Sequence, residues 1–373
     1  MIKSWQEELR NNITSADELV NLGIIPPEKR DEIANIIDNY PMSIPRYYLG
    51  LIKTYDGTDP IYRMAVAGVN ELSGSGRLDT SGEATNTVTE GVQHKYSNTA
   101  LILSTNICAM YCRHCFRKRM VGLTEEEVLT VTEEAIKYIN EHPEIDNVLI
   151  SGGDSFMNGN KIIERYLSAL SENENIKFIR FGTRTPVVFP DRIIKDPELL
   201  EILKRYSAKK SIFIVTQFNH PNELTPESGE ALRLIRETGV PILNQTVLLK
   251  GVNGDADTLV SLFNGLLENG VNPYYLFQCR PVKGIKDFYA LPLIEAVTLV
   301  DEVRTRLSGV AKSFRFIMSH ITGKIEIIGK SENRMVMKRH QAKDASDINT
   351  LFFVEVRDDS RWLADDFKFE ELK

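Results

Sequence analysis

The chain is poor in cysteine and has no long apolar run. Four cysteines among 373 residues exclude a disulfide framework, and no stretch reaches the ~18 apolar residues of a membrane span. The opening, MIKSWQEELRNN, lacks the apolar core of a signal peptide, so a cytoplasmic location is expected. Positive charge is not in excess: 45 Lys and Arg face 52 Asp and Glu, a formal net charge of −7. That balance argues against a chain-wide attraction to nucleic acid or anionic lipid. No stripe of mixed basic and aromatic residues offers a local exception. Low-complexity tracts and repeats are also missing. What is present is 42% hydrophobic and 26% charged residues, the composition of a globular protein with a substantial core.

Residues 1–90 read as a helical region followed by an extended arm. Ser15-Ala16-Asp17-Glu18, Pro26-Pro27-Glu28 and Ile44-Pro45-Arg46 look like helix openings. From Gly74 to Gly91 the composition turns to Gly, Ser, Thr, Asp and Glu, as in a linker or arm. Over 91–311 the rhythm changes to short apolar runs alternating with helical stretches. The runs lie at 100–104, 147–151, 177–182, 211–215, 241–249 and 274–278. Helices are expected at 125–141, 161–171, 197–206, 228–238, 257–269 and 293–307. This is the pattern of parallel strands covered by helices, an α/β fold.

Six such units fit an open doubly wound sheet or a barrel with fewer than eight strands. In either, chemistry gathers at the C-terminal ends of the strands. Those ends read Asn106, Ser151-Gly152-Gly153-Asp154, Thr183-Arg184, Gln217, Gln245 and Arg280. Residues 312–373 form a C-terminal segment whose acidic, aromatic tail (352–373) is expected to be a cap or a partner contact.

Three of the four cysteines, Cys108, Cys112 and Cys115, lie within eight residues just after the first run. Three thiols so close together suggest a soft metal or a cluster. With His114 or Cys279 as fourth ligand they would make a zinc site in a non-catalytic binding module. As three ligands of a [4Fe–4S] cluster they would leave one iron open. The basic run Arg113, Arg117, Lys118, Arg119 is expected to be a solvated face beside them.

The spacing CxxxCxxC in CAMYCRHC resembles the radical S-adenosylmethionine superfamily, and CAMYCRHCFRKRMVG is similar to the lysine 2,3-aminomutase family. WQEELRNNI, IPRYYLGLI, LISGGDSF, FGTRTPVVFP, FNHPNELT, GVPILNQTVLLKGVN and NPYYLFQCR resemble that family's segments in the same order. The likeness runs from about residue 5 to 325. It implies a partial (β/α)6 TIM-like barrel with an N-terminal helical region and a C-terminal extension. It also implies a [4Fe–4S] cluster on Cys108, Cys112 and Cys115, with S-adenosylmethionine chelated to the open iron. An electron from a donor such as flavodoxin or ferredoxin would cleave that cofactor to a 5′-deoxyadenosyl radical. Ser151, Gly152, Gly153 and Asp154 would hold its amino group and His114 would face its adenine. Thr183 and Gln245 are further candidates to contact it or the substrate.

The family carries a lysine that holds pyridoxal phosphate, and Thr322-Gly323-Lys324-Ile325-Glu326 matches the end of its glycine-rich stretch. The resemblance further implies two arginines that hold the cofactor phosphate. Here the matching positions read Lys95 and Thr99, so one charge is lost. The reaction would be a 2,3-amino shift on a small-molecule substrate, an amino acid. The alternative is an enzyme that has dropped pyridoxal and uses the adenosyl radical directly. Lysine-specific members use two aspartates to read the substrate's distal ammonium; the matching residues here are Arg280 and Ser319. An arginine there repels lysine and suits an acidic substrate. Cys279 is expected to be a buried spectator and His220 a turn residue. No nucleic acid or membrane partner is expected, and a homo-oligomer is compatible with the sequence.

Overall fold

The computed structural model describes residues 4–123, 132–331 and 334–372. Thirteen strands join in one sheet in sequence order. The first three are β1 (Thr87–Thr89), β2 (Val92–Tyr96) and β3 (Thr99–Leu103). The barrel continues through β4 (Asn147–Ser151), β5 (Phe178–Gly182), β6 (Ser211–Thr216), β7 (Ile242–Leu248) and β8 (Asn272–Gln278). The last five are β9 (Arg315–His320), β10 (Gly323–Ser331), β11 (Arg334–Ala342), β12 (Leu351–Glu355) and β13 (Glu370–Glu371).

Pairing from β3 to β9 is parallel throughout, and the flanking pairs are antiparallel. The sheet does not close on itself. Six βα units followed by a seventh parallel strand therefore make a partial barrel. The six apolar runs expected from the sequence all become strands. Of the helix expected at 125–141, Thr132–Glu141 is helical, and 125–131 lie outside the described residues.

The two faces of the barrel wall differ. Ile102, Ile150, Phe181, Ile214 and Ile242 stand opposite one another across five strands, and all are buried. Directly paired residues share a face, so this row is a continuous apolar belt under the helices, each side chain contributing ~1.5–3 kcal/mol. The other face begins with Leu101, Leu149, Arg180 and Phe213, likewise opposed but only half-buried. It faces a hollow lumen.

The N-terminal helices start as the sequence suggests. Ser4 with Glu7, and Ser15 with Glu18, form reciprocal capping boxes. The first helix is tied to the barrel wall by Trp5, whose Nε1 donates to Asp196 Oδ2 at 3.0 Å. Asp196 also pairs with the fully buried Arg192 at 2.6 Å, and the Trp5 ring lies 4.5 Å from that guanidinium.

The stretch read as a linker or extended arm is a packed arm rather than a linker: Thr80, Ser81, Glu83 and Asn86 are buried. It is a strap held to the loop after β8 by Arg77, which exchanges backbone hydrogen bonds with Pro281 and Lys283. In the C-terminal tail β12 and β13 extend the sheet and Phe352, Phe367 and Phe369 pack together. Short strands in polar segments carry little periodic signal, so composition concealed both.

Asp196→Ala should cost about 3–5 kcal/mol, because it strands the buried Arg192 charge. Denaturant unfolding measures this, and a loss within ~0.5 kcal/mol would contradict the buried-pair reading.

Candidate active site

The cysteine loop leaves the C-terminal end of β3 and is seated from both sides. Tyr111 N donates to Ser43 O, Arg113 N to Met64 O, and Asn12 Nδ2 to Ala109 O, all from the N-terminal region. On the barrel side Gly153 N donates to Thr105 O at 2.5 Å and Asp154 N to Ile107 O at 2.9 Å. Gly152 has φ +116°, and a Cβ there would stand 2.3 Å from Thr105 O. A Cβ on Gly153 would stand 2.4 Å from Ile107 O. The two glycines let the loop lie against the end of β4.

The basic run does not form the solvated face expected of it. Arg113 and Lys118 are buried and pair with Glu71 at 2.6 and 3.0 Å, while Arg117 pairs with Glu83 at 2.8 Å. Arg119 lies 3.7 Å from the same Glu83. Glu71 is itself buried, and its carboxyl is lowered: burial works against ionisation, and Arg113 and Lys118 overcome it. Both acids come from before β1, so the N-terminal region neutralises the loop. Nothing in the spacing of Glu71 or Glu83 could have signalled that.

The three thiols are half-buried. Burial raises the Cys108 thiol well above its usual range, reinforced by Asp154, Cys115 and Cys112; burial and Cys112 take Cys115 to about 11. Among the described residues no group of three His, Cys, Asp or Glu side chains already converges on a metal position. A shared centre therefore requires the thiols to turn toward one another. Cys112 Sγ accepts from Arg184 Nη1 at 2.7 Å. Arg184 in turn pairs with Oε1 of buried Glu223 at 2.5 Å; Tyr48 donates to the same oxygen, and the Asn219 and His220 amides donate to Oε2.

His114 is buried, with Nε2 between the amides of Gln217 and Asn219 at 3.1 and 3.2 Å. Burial and then Arg184 depress its pKa, so the ring is neutral. With Nε2 accepting from both amides, Nδ1 carries the proton, and it has no partner. Asp154 caps the short helix Ser155–Met157 through Phe156 N and accepts from Thr183 Oγ1 and Arg184 N at 2.6 Å each. Thr183 is thus committed to the Ser151–Asp154 turn. Asn244 braces Phe218, and His220 caps its own turn as expected. Gln245 lies on the half-buried face of β7.

Deeper in the lumen, β10 places Lys324 opposite Ser319. Lys324 Nζ donates to Gln341 Oε1 at 2.6 Å and sits 4.8 Å from the Tyr96 ring. Burial, then Arg180, Lys95 and Arg280, lower its pKa to about 7. Lys95 Nζ donates to His320 O at 2.9 Å, bridging β2 to β9 across the open side, and burial likewise lowers it to about 7. Arg280 does not turn outward to an acid. Its Nη2 donates to Ser319 Oγ at 2.8 Å and its Nη1 to Ser81 of the strap, over the Phe116 ring at 4.0 Å. Burial brings its pKa down to about 10. Cys279 is buried with its thiol pushed up to about 12. Arg180, absent from the residues singled out in sequence, also points into the lumen; its strand run is otherwise apolar, which hid it.

Comparison with known proteins agrees with this geometry. Residues 102–262 match the Radical SAM superfamily. The L-lysine 2,3-aminomutase of Clostridium subterminale is 35% identical over 308 residues, 82% of this chain and 73% of that protein. That of Methanococcus maripaludis is 39% identical over 300 residues, 77% and 67%. The glutamate 2,3-aminomutase of Clostridioides difficile is 36% identical over 309 residues, 82% and 71%. Among solved structures, a radical SAM methyltransferase from Sphaerobacter thermophilus aligns with TM-score 0.40 and 17% identity, covering 61% of this chain and 68% of that one.

The partial barrel with its cysteine loop is that of a radical SAM enzyme. Within that class, the chain belongs to the lysine 2,3-aminomutase family. Membership implies S-adenosylmethionine and a [4Fe–4S] cluster. No helix among the described residues is long and apolar enough to cross a membrane.

Replacing Glu71 by Ala leaves Arg113 and Lys118 buried without a counter-charge. It should cost about 3–5 kcal/mol and loosen the cysteine loop, read as faster proteolysis within 104–123. Wild-type stability and cleavage would remove Glu71 from the account.

Proposed function

We propose that the chain catalyses a 2,3-amino shift on an amino acid bearing a side-chain carboxylate. The observation that carries this reading is the shared lumen of Lys324 and Arg280: an amine that loses its proton near pH 7 and a half-buried guanidinium whose hydrogen bonds go only to neutral partners. Arg280 keeps its full charge, and Ser81, Ser319 and Phe116 fix its plane. A carboxylate is the partner such a group accepts, and lysine's ammonium is repelled.

The donor chemistry fits the cluster: Cys108, Cys112 and Cys115 are soft, half-buried ligands on one loop. The close packing at Gly152 and Gly153 and the unpartnered Nδ1 of His114 suit an S-adenosylmethionine site beside it. Lys324 fits pyridoxal phosphate, because a neutral amine can attach to an aldehyde carbon with loss of water, and Lys95 adds a charge for the phosphate. When bound, the cluster and S-adenosylmethionine supply a radical that removes hydrogen, and pyridoxal phosphate supplies a π-system that carries the migrating nitrogen. The protein's own contribution is placement. Arg280 orients the substrate by its distal carboxylate, Lys324, the register partner of the Ser319 that Arg280 holds, fixes the cofactor, and the strap with Ser81 lies over Arg280 and helps keep water out. Thr99, uncharged, is the observation on the side of an enzyme that works without pyridoxal. Reduction by a flavodoxin- or ferredoxin-like donor belongs to the same reading.

Anaerobic reconstitution should give about four irons per chain and reductive cleavage of S-adenosylmethionine to 5′-deoxyadenosine. Cys108→Ala should lose the iron; colourless protein with stoichiometric zinc would instead support a binding module. Arg280→Asp should weaken an acidic substrate by about 2–5 kcal/mol, measured by calorimetry, and unchanged affinity removes Arg280 from the site.

The Lys324 reading has its own pH signature. A lysine lowered to about 7 is protonated below that pH and nucleophilic above it. Borohydride-trapped pyridoxal phosphate on Lys324 should rise between pH 6 and 8 and then level off. A continued rise toward pH 10 would mark an ordinary surface lysine.

A further inference from the structure

The lost charge at Thr99 has a counterpart in the neighbouring strands. Thr99 and Asn147 are register partners at the starts of β3 and β4, and Phe178 of β5 is the next partner in the row. Asn147 Nδ2 donates to Thr99 Oγ1 at 3.0 Å, and its Oδ1 accepts from Arg180 Nη2, which reaches down from two residues further along β5. The three side chains form a bridge across the N-terminal end of the lumen, opposite the end that carries the cysteine loop.

Asn147 is neutral, so it orients Arg180 without cancelling its charge. Arg180 Nε is buried and has no partner. Among the described residues, neither Arg180 nor Lys324 nor Lys95 forms an ion pair; their hydrogen bonds go to amide and carbonyl oxygens. Asp146, which accepts from Asn147 Nδ2 at 2.9 Å, acts on Arg180, and Glu83 and Asp79 act on Lys95, but none of these acids pairs with them, so the cations still repel one another in a partly buried space. Burying a guanidinium with an open donor is also unfavourable unless an anion completes it. Arg280 adds its own charge to Lys95 and Lys324, but Ser81 and Ser319 hold it for the substrate carboxylate, so Arg180 needs a second anion. A phosphate dianion meets that need: it offers several acceptor oxygens and two charges, and a guanidinium binds it as a fork.

We infer that Arg180 supplies the charge that Thr99 lacks, so that the lumen holds a phosphate receptor built from Arg180 and Lys95 beside Lys324. The ligand class is a phosphorylated aldehyde, held by its phosphate while Lys324 takes its carbonyl carbon. This rests on the pyridoxal reading above and replaces the family's second phosphate arginine with a residue from a different strand.

The test compares pyridoxal phosphate with pyridoxal on the reconstituted protein, trapping each with borohydride and mapping the adduct to Lys324. Wild type should prefer the phosphorylated aldehyde by about tenfold to a hundredfold in apparent affinity. Arg180→Met should lose at least about tenfold of that preference, read as the ratio of the two aldehydes' affinities in the same variant, so that any change in the Lys324 amine itself cancels. Asn147→Asp, which sets a carboxylate against Arg180, should shift the preference in the same direction. Adding Thr99→Arg to Arg180→Met should restore it, which a merely structural role for Arg180 does not predict. Retention of the full preference in Arg180→Met and Asn147→Asp, or no recovery with Thr99→Arg in protein that still takes up pyridoxal, overturns the inference. A wild type that attaches neither aldehyde at Lys324 overturns the pyridoxal reading itself, and this one with it.

Discussion

The structure depends on neutralising the positive charge of the cysteine loop. Arg113, Arg117 and Lys118 are buried, and a buried guanidinium or ammonium without a counter-charge is strongly destabilising. Glu71 and Glu83 provide that counter-charge, and both lie outside the parallel barrel. The N-terminal region is therefore part of the site: it holds the loop by charge, and Ser43, Met64 and Asn12 hold it by hydrogen bonds. On the other side the loop leans on Gly152 and Gly153, where no side chain fits. A single loop with three thiols is thus fixed between the N-terminal region and the end of β4, which share one hydrophobic core.

The second determinant is an unfilled lumen. The helix-facing residues of the strands are buried aliphatics and aromatics, whereas the inner row is half-buried and includes Arg180 and Gln245. Across the open side, Lys95 reaches His320 O and Arg77 pairs with Asp365 at 2.7 Å, so the gap between β2 and β9 is bridged by side chains. The interior that results is cationic in a chain whose net charge is −7. Such a space selects for anionic groups and depresses the pKa of its lysines, which is what a nucleophilic amine at neutral pH requires.

Much of this was legible in the sequence, for identifiable reasons. The apolar runs at 147–151 and 211–215 are long enough and uniform enough to declare buried parallel strands, and they fall on β4 and β6. CxxxCxxC followed by a family-like context pointed to the superfamily before any coordinates. Arg280 and Ser319, matched to one function from positions 39 residues apart, are in hydrogen-bond contact. What could not be read was long-range pairing between polar residues: Glu71 with Arg113, Glu83 with Arg117, Arg184 with Glu223. Such partners leave no periodicity: the basic run looked like a solvated face, Arg184 like a strand-end contact, and the three acids gave no signal. The strap and the C-terminal strands were missed because their short extended segments are rich in polar residues. Arg180 escaped because one charged residue in an apolar strand reads as noise until the register shows which face it takes.

The central claim is that this lumen carries an amino shift on an acidic amino acid, and product analysis tests it most directly. Reconstituted, reduced enzyme with S-adenosylmethionine and pyridoxal phosphate would be given ¹³C-labelled L-glutamate or L-lysine and followed by ¹³C NMR. The account predicts the 3-amino isomer from glutamate and none from lysine. Isomerisation of lysine with glutamate untouched would contradict it.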